Sequence, residues 1–148
     1  MTVVRPSKVH SINRLPRRYD HLYFGGGSYY RHKSKFYKRW GARYVLVPPP
    51  FGMRLAVLPA LYTIFEFNQR DYYCCDGIIY AEVDGDEFEV VEPQMGMVVP
   101  QLPKVGVQEV EIDNMIYYEF EGYLYREVLT EFGKQYKVAG SVNFTLVD

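Results

Sequence analysis

The most constraining feature of the sequence is a motif that occurs three times at intervals of about 44 residues. A proline precedes a Leu-Pro pair by nine residues, and a tyrosine pair follows 14 or 15 residues later. The three copies contain Pro6, Leu15-Pro16 and Tyr29-Tyr30; Pro49, Leu58-Pro59 and Tyr72-Tyr73; Pro93, Leu102-Pro103 and Tyr117-Tyr118. Seven residues beyond each tyrosine pair lies a further tyrosine: Tyr37, Tyr80 or Tyr125. Repeats of this length are usually single supersecondary units that bury a core by packing on one another.

Within a unit, short runs of β-branched and aromatic residues alternate with turn signals. The second copy contains "YTIFEFN", "DYYCC", "IIYAEV" and "EFEVV", separated by "NQR", "DG" and "DGD". Such runs predict strands joined by tight hairpins. With the run before each Leu-Pro, each unit has about five strands. The sequence therefore predicts an all-β fold of tandem repeats, each a short antiparallel meander that forms an SH3-like barrel or a half-sandwich. One helical turn is allowed only in "EVLTEFGKQY", which is three residues longer than its counterpart.

The repeat divides the chain into three predicted units. Residues 1–43 form a basic, partial and less ordered first repeat, residues 44–87 the second, and residues 88–148 the third with a C-terminal strand. Proline has no N–H to donate to a β-ladder, so we expect the prolines of the motif at strand ends, where one unit passes to the next.

Composition and charge exclude several classes of protein. Hydrophobic residues make up 48% of the 148 residues and aromatic residues 17%, which is typical of a folded chain. The chain has no 18-residue apolar stretch and no signal-peptide core at its start, so we expect no transmembrane segment. Residues 1–44 carry eleven Lys or Arg against Asp20 alone, whereas the remainder carries six basic and seventeen acidic residues.

The tyrosine pairs give two interpretations. A two-residue turn at Asp76-Gly77 pairs Tyr73 with Tyr80, and opposite residues of a hairpin share a face. We expect this face to be core, with hydroxyls at its rim; the alternative is an exposed platform for sugar rings or peptides. The first tyrosine of each pair points the other way and is predicted to be the exposed contact: Tyr29, Tyr72 and Tyr117.

The basic first third has two interpretations as well. Clustered Lys and Arg bind phosphates, anionic glycans or lipid surfaces, and interleaved tyrosines also occur in binders of single-stranded nucleic acid. Alternatively, the basic unit packs against its acidic siblings, within the chain or between chains. The predicted ligand-binding residues are Tyr29, Tyr72, Tyr117, Arg17, Arg18 and Arg31.

Catalytic and metal-binding patterns are not found in the sequence. Cys74 and Cys75 are adjacent, which gives neither a loop-closing disulfide nor metal-ligand spacing. "DGDEFE" lacks the terminal Glu of a calcium loop, and "GGGS" lacks the strand-to-helix context of a phosphate cradle. A pairing of one cysteine with one of the three histidines stays open, because nothing in the sequence places them together. We therefore predict no catalytic residue, no metal site, no cofactor and no enzymatic activity.

The motifs resemble those of an uncharacterised bacterial family of mostly exported proteins. Its domains repeat V-x-P-P-x-G, then L-P, then Y-Y-x-x-x-G-x-Y-Y, clearly matched here from about Tyr44 to Val138. Ile79 and Cys74-Cys75 depart from the family's aromatic residues. The resemblance implies a periplasmic or envelope location, with a signal peptide normally upstream, but no known activity or ligand.

From these features we expect a non-enzymatic structural or interaction module of the cell envelope. The alternatives are a glycan- or peptidoglycan-binding module, and a binder of anionic polymers that uses the basic N-terminal third. Expected partners are an envelope protein, a glycan or a second copy, joined through the basic first and acidic later repeats. Nucleic acid is disfavoured as a partner.

Overall fold

The computed structural model describes residues 2–5, 10–59 and 61–142. Strand β1 (Thr2–Arg5) comes first in the chain and is followed by three sets of five strands. The first set is β2 (Ser11–Ile12), β3 (Asp20–Phe24), β4 (Gly27–His32), β5 (Lys35–Trp40) and β6 (Arg43–Val47). The second is β7 (Arg54–Leu55), β8 (Thr63–Phe67), β9 (Arg70–Cys75), β10 (Ile78–Val83) and β11 (Glu87–Val90). The third is β12 (Val98–Val99), β13 (Val107–Ile112), β14 (Met115–Phe120), β15 (Tyr123–Thr130) and β16 (Gly133–Ser141).

Each set forms one antiparallel sheet with the same strand order. The first sheet runs β2-β6-β5-β4-β3, and the second and third sheets repeat this order. The prediction of all-β meander repeats is therefore confirmed. The sheets stay open rather than closing into barrels, since the short first strand pairs only with the last strand of its set. The helical turn allowed in "EVLTEFGKQY" is wrong, because those residues form the hairpin of β15 and β16.

The hairpins have the predicted register. Tyr73 lies opposite Tyr80, and Cys75 lies opposite Ile78. The turn between them has φ values of 49° at Asp76 and 80° at Gly77. Two positive φ values fit the right-handed twist of the flanking strands, which is why Asp-Gly favours this turn.

The N-terminal strand does not join the first sheet. The sequence places Val4 in the first unit, but β1 pairs with β13 of the third sheet, with Val4 opposite Val110. The third sheet therefore has six strands. Pro6, the proline of the first copy, lies outside the described residues. In the other two sheets the strands equivalent to β13 are β3 and β8, and each is the outermost strand of its sheet among the described residues.

The Leu-Pro segment of each unit crosses one face of its own sheet. It must do so because the short strand and the first strand of the meander lie at opposite edges. In the second unit the thiol of Cys75 donates to the carbonyl oxygens of Pro59 and Leu61, which places this crossover over the face of Tyr73 and Tyr80. We call this the outer face of a sheet. The motif prolines of the later units lie between strands, as predicted, and four of them are buried: Pro49, Pro59, Pro93 and Pro103.

One hydrophobic core joins the three sheets. It contains Phe36 from the first sheet, several residues of the second sheet, and Phe120 and Tyr125 from the third. The predicted burial of the tyrosine face is confirmed at Tyr80 and Tyr125, which are each 1% exposed.

The opposite face of the second sheet is also buried, which the sequence does not predict. Tyr72 is 4% exposed and Cys74 is fully buried. The predicted exposure of Tyr72 is therefore wrong. The physical reason is that this sheet is covered on both faces: its own crossover packs against the face of Tyr73 and Tyr80, and the shared core contains residues of both faces, Cys75 and Tyr80 as well as Tyr72 and Ile79.

Candidate functional site

The three tyrosines predicted to bind ligand lie on three different sheets. Tyr72 stacks on Phe65 at 5.7 Å, and its hydroxyl accepts a hydrogen bond from Gln94 at 2.9 Å. Tyr29 is half-buried against the core, with the Lys38 ammonium 4.7 Å from its ring centroid. Tyr117 is half-buried on the third sheet. The structure does not bring these side chains together into one surface.

The three predicted arginines also separate. Arg31 lies opposite Phe36, on the face of the first sheet that does not carry Tyr30, and donates to the carboxylate of Asp20 at 2.6 Å. Its Nε is buried and has no hydrogen-bond partner among the described residues. Arg17 and Arg18 are exposed on the crossover of the first unit. Arg31 therefore lies on β4, whereas Arg17 and Arg18 lie on the segment before β3.

The outer face of the first sheet carries a cluster of exposed or half-exposed rings that the repeat motif does not indicate. We call Tyr19, His21, Tyr23, Tyr30 and Tyr44 the aromatic row. His21 stacks on Tyr30 with centroids 4.8 Å apart, and Tyr23 lies 4.3 Å from His21. The edges of Tyr19 and Tyr44 meet Tyr30 at 5.8 and 5.5 Å. Strand alternation explains the row, since His21 lies directly opposite Tyr30 in the register.

Part of the aromatic row is a structural feature of every repeat. The contact of Tyr30 with Tyr44 recurs as Tyr73 with Phe88, at 5.4 Å, and as Tyr118 with Tyr136, at 5.9 Å. The contact of Tyr19 with Tyr30 recurs in the second repeat as Tyr62 with Tyr73, at 5.4 Å. These ring pairs therefore belong to the architecture of the sheets.

The other part is specific to the first repeat. The hairpin registers place His21 and Tyr23 at the positions of Ile64 and Glu66 in the second sheet. The corresponding residues of the third sheet are Glu109 and Glu111. Only the first repeat therefore extends its ring pairs into a longer row. Aligning the three edge strands in the sequence detects this difference.

Exposed basic side chains lie near the aromatic row in the sequence or in the strand register. On the crossover these are Arg14, Arg17 and Arg18, all exposed. Arg39 lies opposite Tyr44 and shares its face, and it is exposed as well. We call these four arginines the basic rim. Arg43 anchors the crossover beneath the rim by donating to Ser11 at 2.8 Å and to Asn13.

Most of the described ion pairs join residues of a single repeat. Arg31 pairs with Asp20 of its own sheet, and Arg54 pairs with acids of the second sheet. The pair that joins two repeats, Lys104 with Asp76 at 3.0 Å, links the third repeat to the second. The four arginines of the basic rim are exposed and take no part in these ion pairs, so their charge faces solvent.

A cavity of about 450 Å³ lies where the three repeats meet. Its walls are mostly apolar, and its polar groups include Ser34, Asp76 and Lys104 from the first, second and third repeats. Ser34 donates to one carboxylate oxygen of Asp76, and Lys104 lies 3.0 Å from the other. Burial raises the pKa of Asp76, but these hydrogen bonds and the charges of Lys104 and Lys35 outweigh it and lower the pKa below its ordinary value. Ionised Asp76 therefore links the second repeat to Ser34 of the first repeat and to Lys104 of the third; we call these three residues the junction between repeats.

Both thiols lie in buried surroundings. Cys74 and Cys75 are both buried, and burial is the main cause that raises the pKa of each to about 11. A raised pKa lowers the thiolate fraction of each side chain at neutral pH. Among the described residues, no group of three or more His, Cys, Asp or Glu is arranged to hold a metal ion.

Comparison with known proteins gives a family without an assigned activity. A family model described as "Family of unknown function (DUF6515)" matches residues 2–142. No curated protein and no solved structure matches the chain. In the part of the chain that the structure describes, no helix is long and apolar enough to cross a membrane.

Proposed function

Because the chain belongs to the family of unknown function DUF6515, we propose a function from its own surface chemistry. We propose that the protein is a non-enzymatic interaction module of the bacterial cell envelope that binds an anionic glycan through the aromatic row and the basic rim. The envelope setting is supported by the repeated motifs and their resemblance to exported proteins. The ligand class is supported by the outer face of the first sheet.

The observation that carries the proposal is the exposed extension of the aromatic row. Tyr23 is 76% exposed, yet its ring lies beside His21, which in turn stacks on Tyr30. Contiguous exposed apolar rings mark interaction sites, whereas apolar residues scattered singly over a surface need no such explanation. The apolar face of a sugar ring packs on flat aromatic rings, while its hydroxyl groups face the polar tips.

The basic rim determines the charge of the ligand. Its four arginines carry fixed positive charges with donors that match carboxylates and sulfates bidentately. Carboxylates and sulfates are also the groups by which anionic polysaccharides differ from neutral ones. A chain with aromatic and cationic groups on one face therefore favours an anionic glycan over a neutral one.

Calorimetry with polygalacturonate as the anionic glycan and dextran as the neutral control tests this proposal. We expect polygalacturonate to bind, with affinity falling as salt increases, and dextran to bind much more weakly. Substitution Tyr23→Ala is expected to weaken binding about 2- to 13-fold, because one stacked ring contributes about 0.5–1.5 kcal/mol.

A matched control comes from the repeat itself. Tyr19 and Tyr62 make the same ring contact in the first and second sheets and are 47% and 51% exposed. Tyr19→Ala is expected to weaken polygalacturonate binding, and Tyr62→Ala to leave it unchanged. Equal losses in both variants, or an absence of binding at low salt, would contradict the proposed site.

The competing ligand classes are outcomes of the same experiment. A single-stranded oligonucleotide and vesicles containing anionic lipid are tested at equal charge concentration. Stronger binding to either would replace the glycan with that ligand, because all three classes depend on the basic rim. Fractionation of cells that express the natural protein tests the envelope location, and recovery in the cytoplasmic fraction would contradict it.

A further inference from the structure

The strands β3, β8 and β13 are equivalent in the three sheets. A further strand pairs with β13, whereas β3 and β8 are outermost strands among the described residues. At the third sheet, β1 pairs antiparallel with β13 over four residues, from Thr2 opposite Ile112 to Arg5 opposite Glu109. Within the described residues, β3 and β8 are the outermost strands of their sheets. An outermost strand presents N–H and C=O groups that can pair with another strand. The chain itself therefore shows that this type of edge accepts an added strand.

The two uncovered edges are flanked by exposed apolar side chains. Leu61 is 93% exposed just before β8, and Tyr62 and Ile64 beside it are more than half exposed. Tyr19 and Tyr23 flank β3 in the same way. At the covered third edge, the position of Ile64 is taken by Glu109. The apolar residues thus occur at the two edges that carry no added strand.

The charges of the two open sheets are opposite. Residues 10–47 of the first repeat contain nine basic residues and one acidic residue, whereas residues 54–90 of the second contain two basic and eight acidic residues. Pairing two copies through identical edges places like charges together, whereas pairing β3 with β8 places a basic sheet beside an acidic one. Opposite potentials across an interface favour the second arrangement.

From these observations we propose that copies of this chain associate head to tail, with the β3 edge of one copy pairing with the β8 edge of the next. The contact is heterologous, so each added copy leaves one β3 edge and one β8 edge free. Such contacts generate open chains rather than closed dimers. The assembly uses the backbone groups of the β3 edge and glycan binding uses side chains of the outer face, with Tyr19 and Tyr23 next to both; the β8 edge is separate from the glycan site.

Light scattering after size exclusion tests this arrangement on the full chain without any glycan. We expect the mass to rise with protein concentration from one copy of 17.4 kDa to species larger than two copies. High salt is expected to shift the distribution back towards the monomer. A mass that stays at one copy, or that stops at two, would overturn the head-to-tail arrangement.

Two blocking variants and their mixture make the test specific. Ile64→Lys places a cation at the β8 edge, and Tyr23→Glu places an anion at the β3 edge. Each variant alone is expected to remain a monomer, because every copy lacks one of the two complementary edges. An equimolar mixture is expected to give a dimer and nothing larger, since each variant retains the edge that the other has lost. A mixture that stays monomeric would contradict the proposal.

Folding and glycan binding are controlled separately. Phe132→Lys changes an exposed residue in the turn between β15 and β16, away from both open edges, and is expected to associate like the original chain. Circular dichroism of each variant reports whether it is folded. Ile64→Lys leaves the aromatic row intact and is expected to bind polygalacturonate as before, so failure of assembly and failure of glycan binding give different results.

Discussion

The first repeat and the two later repeats share a backbone but use it differently. The amide of the last strand donates to the same carbonyl position in all three: Leu46 to His10, Val90 to Met53 and Val138 to Met97, at 2.9, 2.8 and 2.8 Å. Met53 and Met97 are buried core residues, whereas His10 is exposed. The same backbone hydrogen bond therefore involves a buried residue in the two later repeats and an exposed residue in the first repeat.

The same division appears beside the central hairpin. Cys74 and Cys75 of the second repeat are buried, and their positions in the first repeat are taken by Arg31 and His32. The later repeats therefore contribute most of the core, and the first repeat contributes most of the exposed charge. Repeats that keep one fold can therefore divide stability and surface chemistry between them.

The largest expected effect comes from truncating equivalent positions. Met97→Ala is expected to lower the free energy of unfolding by about 2–5 kcal/mol, because it leaves a cavity in a fully buried place. His10→Ala is expected to change it by less than about 0.5 kcal/mol. Urea unfolding followed by circular dichroism measures both. Similar losses of unfolding free energy in the two variants would contradict the conclusion that the later repeats contribute most of the core.

The next effect concerns the reactivity of the thiols. Burial raises the pKa of Cys74 and Cys75 to about 11 from 9.0. The thiolate fraction is then about 100-fold lower at pH 8, so alkylation by iodoacetamide is expected to be at least about 100-fold slower than in the urea-unfolded chain. Mass spectrometry of the labelled chain follows the reaction. Rapid labelling of the folded protein would show a reactive thiol and reopen a catalytic interpretation.

Two glycines with nearly the same backbone angle separate strain from packing. Gly77 and Gly85 have φ values of 80° and 82°. A Cβ at Gly77 would lie 2.1 Å from the carbonyl oxygen of Leu102 in the third repeat, whereas Gly85 has nothing within 4 Å. Gly77→Ala is expected to cost about 1–3 kcal/mol more than Gly85→Ala in the same urea assay. Equal costs would mean that the second hairpin does not pack on the third repeat.

The smallest effect is the pH dependence of the junction between repeats. Because the folded state lowers the pKa of Asp76 below 3.8, its contribution to stability is present above that pH and is lost as the pH falls below it. Asp76→Asn is expected to be less stable at pH 7 and to lose less stability than the original chain between pH 5 and pH 2.

Thermal unfolding over this pH range measures the difference between the two proteins. Asp84→Asn provides the control, because the pair of Asp84 with Arg54 is exposed and lies within one repeat. An Asp84→Asn variant that reproduces the whole effect of Asp76→Asn would show that the junction contributes nothing.

Local features of the fold could be predicted from the sequence. The spacing of the tyrosines and the Asp-Gly turn determine which residues lie opposite each other, so the pairing of Tyr73 with Tyr80 is predictable. Prolines that cannot join a ladder mark the strand ends for the same local reason.

Features that depend on how the repeats pack could not be predicted. The pairing of β1 with β13 joins the first strand to the third repeat, and hairpin spacing contains no information about it. The burial of Tyr72 likewise depends on a neighbouring sheet, since alternation predicts opposite faces but not which of them is covered. Of the residues in the candidate site, the sequence predicts only Arg17 and Arg18 as ligand-binding. Its rings become visible when His21 and Tyr23 are compared with Ile64 and Glu66.

The most direct test of the division between repeats is NMR of the backbone amides during titration with polygalacturonate oligomers. We predict chemical-shift changes concentrated at the aromatic row and at Arg17 and Arg18, with little change at Tyr62, Tyr73 and Phe88, which form the equivalent surface of the second sheet. Changes of equal size on both sheets, or changes confined to the second and third repeats, would contradict the account.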